Sequence, residues 1–326
     1  MRKIQWLHFP LFIKWYITSL CNLRCSHCYL ISYTQQEELK KILQFIDYFG
    51  EKGVRTIVLL GGEPLVRKDL EAIIERIVKQ TIKINIATNG ILASSQRSES
   101  LLRAGATRFQ VSIEGYKAEL NDPVRGKDTF PKIVAGIKNL KRAGAHVTMA
   151  ATIGKNNYQN IAQFHQLAGE LNVDVLRLNA FAPIGTGLKN SNNFLLDRGM
   201  VLQVRNELQY LLKRFPSPII DSVFLSPAND ENNNSSCTFG CGAGTTTLIL
   251  NSDLSVSACD LLVEEDRTKI KINKPEQIGE LWQGDSIFRK WRGLELPTAG
   301  PLKTFEDVHQ QGCQVNYSSY GENLFR

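Results

Sequence analysis

A regular alternation of short apolar runs and amphipathic helical patterns, from residue 12 to about residue 212, most constrains the fold of this chain. Runs that are rich in β-branched and aromatic residues predict buried strands. Between the runs, apolar residues recur at helical spacing, as at Leu39, Ile42 and Ile46. Strands that alternate with helices form a parallel sheet, which curves into a barrel or stays open. The pattern predicts six such strands, at 12–18, 54–60, 82–87, 107–113, 145–153 and 173–181.

Helices are predicted between these strands and after the last one. Thr34 and Glu37 have the spacing of a capping box, which predicts that a helix begins there. Later helices are predicted at 130–143, 158–170 and 196–214. The pattern changes near 214–221, after which Asn- and Ser-rich loops surround one hairpin-like stretch. We therefore predict two domains, a larger one at residues 1–215 and a smaller α+β one at 216–326.

The composition indicates a folded protein without a membrane anchor. Of its 326 residues, 43% are hydrophobic and 22% are charged, which is enough apolar surface for a sizeable core. His8 and Lys14 interrupt the apolar N-terminal run, and no other stretch approaches the length of a membrane span. The net charge of +7 is not concentrated in a basic block, so it favours acidic partners mildly and predicts no nucleic-acid binding. We expect a cytoplasmic protein.

The seven cysteines fall into two sets. In a reducing compartment, an odd number of cysteines favours metal or cluster ligation over disulfides. Cys21, Cys25 and Cys28 are spaced C-x3-C-x2-C, and the next cysteine is Cys237. Three thiolates can hold three irons of a cubane cluster and leave the fourth iron open, as catalytic centres require. The alternative is zinc with His27 as fourth ligand, but His27 directly precedes Cys28, which is poor geometry for chelating one ion.

Four further motifs follow predicted strands, where parallel folds place their chemistry. They are GGEPL at 61–65, TNG at 88–90, VSIEG at 111–115 and RG at 125–126. With CNLRCSHCY in front of them, in this order, the chain resembles the radical S-adenosylmethionine (SAM) superfamily over roughly residues 13–215. The resemblance implies an α/β fold, a partial (β/α)6 barrel of parallel strands. It also implies an enzyme that cleaves SAM reductively to a 5′-deoxyadenosyl radical and abstracts hydrogen from a substrate.

The resemblance also implies roles for individual residues. Cys21, Cys25 and Cys28 would ligate a 4Fe-4S cluster, whose fourth iron SAM would chelate. Gly61, Gly62 and Glu63 would bind the SAM amino group, with Pro64 stiffening their loop. The other positions implied to surround SAM are His27 beside the cluster, Tyr29 near the adenine, Ser112 and Glu114 near the ribose, Arg125 at the carboxylate, and Thr88 and Asn89 on the same face. No further catalytic acid or base is assigned, so the catalytic residues stay unknown.

The C-terminal cysteines resemble those of the auxiliary-cluster domain called SPASM. Residues 241–260 place Cys241 before a hairpin and Cys259 after it, and Cys313 matches the final cysteine segment. The cysteine-dense middle section is absent, which favours the truncated, twitch-type domain with one auxiliary 4Fe-4S cluster. Cys237 completes a set of four by count, and the alternative is an open iron that binds water or substrate. Leu254 stands where the hairpin normally has glycine.

Three functions are compatible with this sequence. The first is modification of a ribosomally made peptide or protein by crosslinking, epimerisation or side-chain oxidation, as in an oxidoreductase of the peptide maturase type. The second is dehydrogenation of a small sugar or aminocyclitol, and the third is a non-enzymatic zinc or redox module. The expected partners are the substrate and a ferredoxin- or flavodoxin-type electron donor. Because twenty residues precede Cys21, no leader-binding domain fits there, and a separate peptide-recognition protein is a further expectation.

Overall fold

In this computed structural model, residues 7–225, 242–260 and 267–292 are described. The strands are β1 Phe12–Thr18, β2 Thr56–Gly61, β3 Lys83–Thr88, β4 Arg108–Ser112, β5 His146–Ile153, β6 Val175–Ala180, β7 Ile219–Ser222, β8 Thr247–Leu250, β9 Ser255–Ser257 and β10 Arg267–Lys271. The helices are α1 Leu39–Glu51, α2 Leu70–Lys79, α3 Ser95–Arg103, α4 Ala118–Arg125, α5 Phe130–Arg142, α6 Ile161–Glu170, α7 Gly185–Lys189, α8 Arg198–Arg214, α9 Gln277–Gly284 and α10 Ser286–Trp291. No helix in these ranges is long and apolar enough to cross a membrane.

The described strands form one sheet in the order β10-β9-β8-β1-β2-β3-β4-β5-β6-β7. All neighbours from β8 through β1 to β7 are parallel, whereas β8, β9 and β10 pair antiparallel. This confirms the predicted α/β fold with a parallel partial barrel, to which the structure adds strands from the C-terminal segment. The predicted domain boundary at residue 215 falls just before β7, which pairs with β6. Because β8 pairs with β1, strands from the C-terminal segment flank the catalytic sheet on both sides. The division into two domains stays a prediction.

Side chains alternate between the two faces of the parallel strands, and this places the chemistry inside the barrel. On β4, Phe109 and Val111 are buried in the core, whereas Gln110 and Ser112 line an internal cavity of about 950 Å³. On β1, the outward-facing Trp15 packs against Phe45 of α1 with ring centroids 6.0 Å apart. The apolar face of each strand is therefore covered by helices, and the polar face is left for ligands.

The predicted capping box is wrong. Helix α1 begins at Leu39, and neither Thr34 nor Glu37 caps it with its side chain. Instead, Gln35 is bonded to the loop after β1: its N–H donates to Ser19 Oγ at 2.7 Å, and its carbonyl accepts from the Ser19 N–H at 2.8 Å. Arg67 donates to the Glu37 carbonyl at 3.2 Å. These contacts hold the segment around residues 35–37 outside the helix, so α1 begins only at Leu39.

Candidate active site

The three N-terminal cysteines lie on one loop after β1, and all three line the cavity. The loop is folded around its sulfur atoms, since the Leu23 N–H donates to Cys21 Sγ at 3.3 Å and the Leu30 N–H donates to Cys28 Sγ at 3.4 Å. Burial raises the pKa of the Cys21 thiol, and it raises the pKa of Cys25 to about 11. Because desolvation opposes the thiolate form of Cys21 and Cys25, a bound cationic group would stabilise it.

The donor set fits an iron–sulfur cluster. In the described ranges, no three His, Cys, Asp or Glu side chains are close enough to bind a single metal ion. A cubane does not need such convergence, because each thiolate binds a different iron. His27, the fourth ligand of the zinc alternative, directs Nε2 to Glu114 Oε1 at 3.2 Å instead. The loop thus offers three sulfur donors and backbone N–H bonds to two of them.

The glycines at the end of β2 let two loops meet backbone to backbone. A Cβ on Gly61 would lie 2.1 Å from the Thr18 carbonyl oxygen, and one on Gly62 would lie 2.3 Å from that of Leu20. The Gly62 N–H donates to Thr18 and the Glu63 N–H donates to Leu20, both at 2.9 Å. Side chains at these positions would displace the segment that leads into Cys21. The resemblance implies that these glycines bind the SAM amino group, and the structure adds this packing reason for glycine at both positions.

Glu63 connects the GGEP loop to the TNG turn. Its side chain is fully buried. Oε1 accepts hydrogen bonds from Thr88 Oγ1 at 2.6 Å and from the Leu65 N–H at 2.9 Å, and Oε2 accepts one from the Asn89 N–H at 2.6 Å. Burial raises the pKa of Glu63 even though these bonds oppose the shift. The carboxylate is therefore held inside the protein, where a nearby cation would lower its pKa.

The side chains of His27, Glu114 and Arg125 form a largely buried polar cluster at the end of the cavity next to the cysteine loop. Arg125 NH2 lies 3.3 Å from Glu114 Oε1, and the Thr152 N–H donates to Glu114 Oε2 at 2.8 Å. Burial alone would raise the pKa of Glu114, but the His27 ring and the Arg125 guanidinium outweigh it and hold that pKa below its usual range. Glu114 and Arg125 therefore form a buried ion pair, and three separate elements bring the cluster together.

Two atoms of this group, His27 Nδ1 and Arg125 Nε, are buried without a hydrogen-bond partner, and both residues line the cavity. Buried polar atoms of this kind are costly unless a ligand satisfies them. The carboxylate and amino groups of SAM have the chemistry to do so. All the residues predicted to bind SAM line the cavity except Glu63 and Pro64: His27, Tyr29, Gly61, Gly62, Thr88, Asn89, Ser112, Glu114 and Arg125.

Sequence reasoning missed the short helix α7, which holds the cysteine loop from the other side. The Gly187 N–H donates to the Cys28 carbonyl at 3.1 Å, and Asn190 Nδ2 donates to the Ser26 carbonyl at 2.8 Å. A Cβ on Gly185 would lie 2.0 Å from the Tyr29 carbonyl oxygen. The Gly-Thr-Gly sequence was the available signal, since two close glycines after a strand indicate a tight backbone approach.

Of the candidate auxiliary ligands, Cys259 lies within the described residues, whereas Cys237, Cys241 and Cys313 lie outside them. Cys259 follows β9, and its neighbour Asp260 lines the cavity and accepts a hydrogen bond from Lys14 Nζ at 2.8 Å. Burial raises the pKa of Tyr29, and Asp260 and Cys259 act in the same direction. Cys259 is thus close to the cavity wall.

A parallel partial barrel with three cysteines after its first strand, and a Gly-Gly-Glu turn after its second, defines a radical SAM enzyme. A family model described as the radical SAM superfamily matches residues 15–168, and the chain belongs to that superfamily. The recognition made from the sequence is confirmed.

Individual relatives match beyond the family model. The AdoMet-dependent heme synthase of Methanosarcina barkeri is 29% identical over 304 residues, which cover 88% of this chain and 86% of the relative. The mycofactocin maturase MftC of Mycobacterium tuberculosis is 25% identical over 311 residues, covering 94% and 78%. Streptococcus suis SuiB, solved with precursor peptide SuiA, has a TM-score of 0.76 at 18% identity and covers 98% of this chain and 75% of its own. At 18% identity, the similarity to SuiB shows that the two proteins share a fold.

Proposed function

We propose that this radical SAM enzyme modifies a ribosomally made peptide or protein by crosslinking, epimerising or oxidising a residue. The observation that carries the proposal is the extent of the cavity, which runs from the three cysteines along the inner face of the sheet to Asp221 on β7. At about 950 Å³ it is at the upper end of small-molecule pockets, with room for SAM and a substrate side chain. MftC, a maturase, and SuiB, seen with a precursor peptide, support this substrate class.

The residues of the site have distinct tasks in this proposal. When bound, a 4Fe-4S cluster supplies the electron that cleaves SAM to the 5′-deoxyadenosyl radical, which abstracts hydrogen from the substrate. Cys21, Cys25 and Cys28 hold three of its irons. Arg125 and His27 orient the polar end of SAM through the two atoms that lack protein partners. The buried loops on both sides exclude water from the reacting atoms.

The C-terminal cysteines serve an oxidative outcome in the same proposal. Cys259, with Cys241, Cys313 and Cys237, would bind an auxiliary 4Fe-4S cluster that accepts an electron from the substrate. The position of Cys259 near Tyr29 and the cavity wall supports this role. A ferredoxin- or flavodoxin-type protein would deliver electrons to the first cluster, and a separate recognition protein would present the peptide.

Iron and sulfide analysis of anaerobically reconstituted protein tests the cofactor part. We expect about eight irons per chain, and about four in the combined Cys21→Ala, Cys25→Ala and Cys28→Ala variant, because one of two clusters is removed. SAM cleavage should be lost in that variant. About four irons in the wild type and none in the variant would leave the oxidative reaction without its acceptor. Zinc in place of iron would rule out the radical mechanism.

The substrate part is tested separately, by incubating the reduced holoenzyme with SAM and candidate peptides encoded beside its gene. We expect the peptide to lose two mass units, because crosslinking or a two-electron side-chain oxidation removes two hydrogens. Epimerisation leaves the mass unchanged in water and adds one unit in deuterium oxide. SAM cleavage without any peptide product from these candidates would contradict the peptide proposal and leave the radical chemistry intact.

A second candidate, modification of a tetrapyrrole, is favoured by the 29% identity to a heme synthase over most of both chains. The same incubation with iron-coproporphyrin III in place of peptide distinguishes the two candidates. A changed porphyrin mass with no peptide product would replace the first proposal with the second.

A further inference from the structure

The side chain of Arg177 on β6 lies across the inner face of the barrel, in a part of the cavity away from the cysteine loop. Its Nε and NH2 lie 2.8 and 2.7 Å from Asp221 Oδ2 on β7. Its NH1 donates to Gln110 Oε1 on β4 at 2.6 Å. The guanidinium of this β6 residue thus contacts β7 on one side and, across β5, contacts β4 on the other. All three side chains line the cavity.

The strand between them explains how the side chain can cross. Arg177 is in register with Ala150 of β5 on one side and with Asp221 of β7 on the other. Because Ala150 has only a methyl group, it leaves the space above β5 open to the guanidinium. A larger inward-facing residue at position 150 would occupy that space. The guanidinium is therefore bonded to Asp221 on one side and to Gln110 on the other, across the space left by Ala150, and its geometry is preorganised.

The held guanidinium still has binding capacity. It carries five N–H groups, and its hydrogen bonds to Asp221 and Gln110 use two of them, one on Nε and one on NH1. NH2 is in ion-pair contact with Asp221, and no hydrogen bond from the described residues engages the other three N–H groups. Arg177 is 40% exposed and Asp221 is 53% exposed, and an ion pair this open contributes little to stability. Structural stabilisation alone is a poor reason for the arrangement.

The surrounding wall carries a positive balance. Arg108 at the start of β4 also lines the cavity, and it is in register with His146 of β5. On this wall two arginines, Arg108 and Arg177, face one aspartate, Asp221, so these three charges sum to +1. Lys14 of β1 forms an ion pair with Asp260, which follows β9, so these two charges compensate each other. The charge therefore favours an anionic group near Arg177.

We propose that Arg177, held by Gln110 and Asp221, is a subsite for a carboxylate of the substrate. Ser112 lies two residues beyond Gln110 on β4, and Asn179 lies two residues beyond Arg177 on β6. Both line the cavity on the side closer to the cysteines. That spacing is about 6.7 Å along a strand. A carboxylate bound to Arg177 would place the carbons next to it beneath SAM. The inference rests on the proposed function in that the substrate occupies this cavity.

A carboxylate has two sources under the two candidate functions: an acidic residue of a peptide, or a propionate of a tetrapyrrole. Two probe pairs distinguish them on the SAM-loaded holoenzyme. N-acetylglutamate amide is compared with N-acetylglutamine amide by saturation-transfer NMR, and coproporphyrin III is compared with its tetramethyl ester by absorbance titration. We expect at least one acid to bind at least tenfold more tightly than its neutral analogue. The pair that shows the preference identifies the source.

Two variants with opposite expected effects test the residue itself. Arg177→Gln should abolish the preference for the acid, because the charge and the fork of donors are gone. Asp221→Asn should strengthen acid binding severalfold, because Arg177 loses its competing carboxylate. A merely structural ion pair would weaken binding in both variants. Arg142→Gln, an exposed arginine on α5, is the matched control with unchanged binding. Iron content and the thermal midpoint establish that each variant is folded.

The proposal is overturned if neither acid is preferred by the wild type, if Arg177→Gln keeps the preference, or if Asp221→Asn weakens it. These results are separable from the fate of the proposed function. A peptide product formed without any dependence on Arg177 removes the subsite and leaves the function. An Arg177-dependent preference for the porphyrin acid alone keeps the subsite and contradicts the peptide substrate.

Discussion

At the scale of single residues, Glu114 connects the elements around the end of the cavity next to the cysteine loop. Its carboxylate contacts His27 on the cysteine loop, Arg125 at the end of α4 and the Thr152 N–H on β5. Its backbone carbonyl accepts from Asn157 Nδ2 at 3.1 Å. Because Arg125 is buried, its charge depends on this carboxylate for compensation. Glu114 therefore sets the orientation of His27 and Arg125, whose Nδ1 and Nε atoms lack hydrogen-bond partners.

We expect Glu114→Gln to weaken SAM binding to the reconstituted protein at least tenfold, measured by isothermal titration calorimetry. The amide keeps the shape but removes the charge that aligns Arg125 and His27, and leaving a buried group poorly paired costs about 1–3 kcal/mol. Glu119→Gln, on the exposed side of α4, is the matched control and should bind SAM normally. Equal affinity in the two variants would contradict the assigned role.

A second residue-scale prediction concerns Gly62, where a Cβ would collide with the carbonyl oxygens of Leu20 at 2.3 Å and Ser19 at 2.5 Å. Gly62→Ala should displace the segment before Cys21 and reduce the iron content after reconstitution. In Gly169→Ala, on α6, the new methyl group meets nothing within 4 Å. That control should keep full iron content and gain about 0.5–1 kcal/mol of stability. Full iron loading of Gly62→Ala would show that the two loops tolerate separation.

At the scale of secondary structure elements, the sequence predicted what long apolar runs determine. The six strands predicted between residues 12 and 181 all form, with ends shifted by two residues at most. Strand β7 was missed because it has only four residues, none of them buried, and no apolar periodicity. Helix α7 was missed because Gly185 and Gly187 disfavour helix, and contacts with the cysteine loop stabilise it instead. Local patterns encode the core, whereas the pairing of Arg177 with Gln110 and Asp221 depends on sheet register.

The turn between β8 and β9 offers an element-scale prediction. The sequence has Leu254 where glycine is usual, and its backbone is left-handed with φ 62°, although its side chain is only 2% exposed. Leu254→Gly loses buried side chain worth about 2–3 kcal/mol and relieves strain of about 1–2 kcal/mol. Leu254→Ala loses most of the side chain and keeps the strain. We therefore expect Gly to be more stable than Ala in urea unfolding, the reverse of the order at an ordinary position.

At the scale of the whole molecule, the N- and C-terminal parts share one core. Apolar side chains of β8, β9 and α9, including Leu248, Val256 and Trp282, belong to the same cluster as Ile13 and Trp15 of β1. Trp282 Nε1 donates to the Leu7 carbonyl at 2.9 Å. The pairing of β8 with β1 also covers what would otherwise be a sheet edge. This packing favours cooperative folding of the barrel with the C-terminal strands.

Truncation tests that cooperativity. A chain that ends at Leu225 loses β8, β9 and α9, so it exposes the edge of β1 and the apolar residues beneath it. We expect it to aggregate or to unfold without a cooperative transition, as measured by size-exclusion chromatography and thermal circular dichroism. A chain that ends at Arg292 keeps every described element and removes Cys313, so it should unfold cooperatively while failing to load the auxiliary cluster. A soluble, cooperatively folded chain ending at Leu225 would instead establish residues 1–225 as an independently folding unit, because only a self-sufficient core survives the loss of its neighbouring strands.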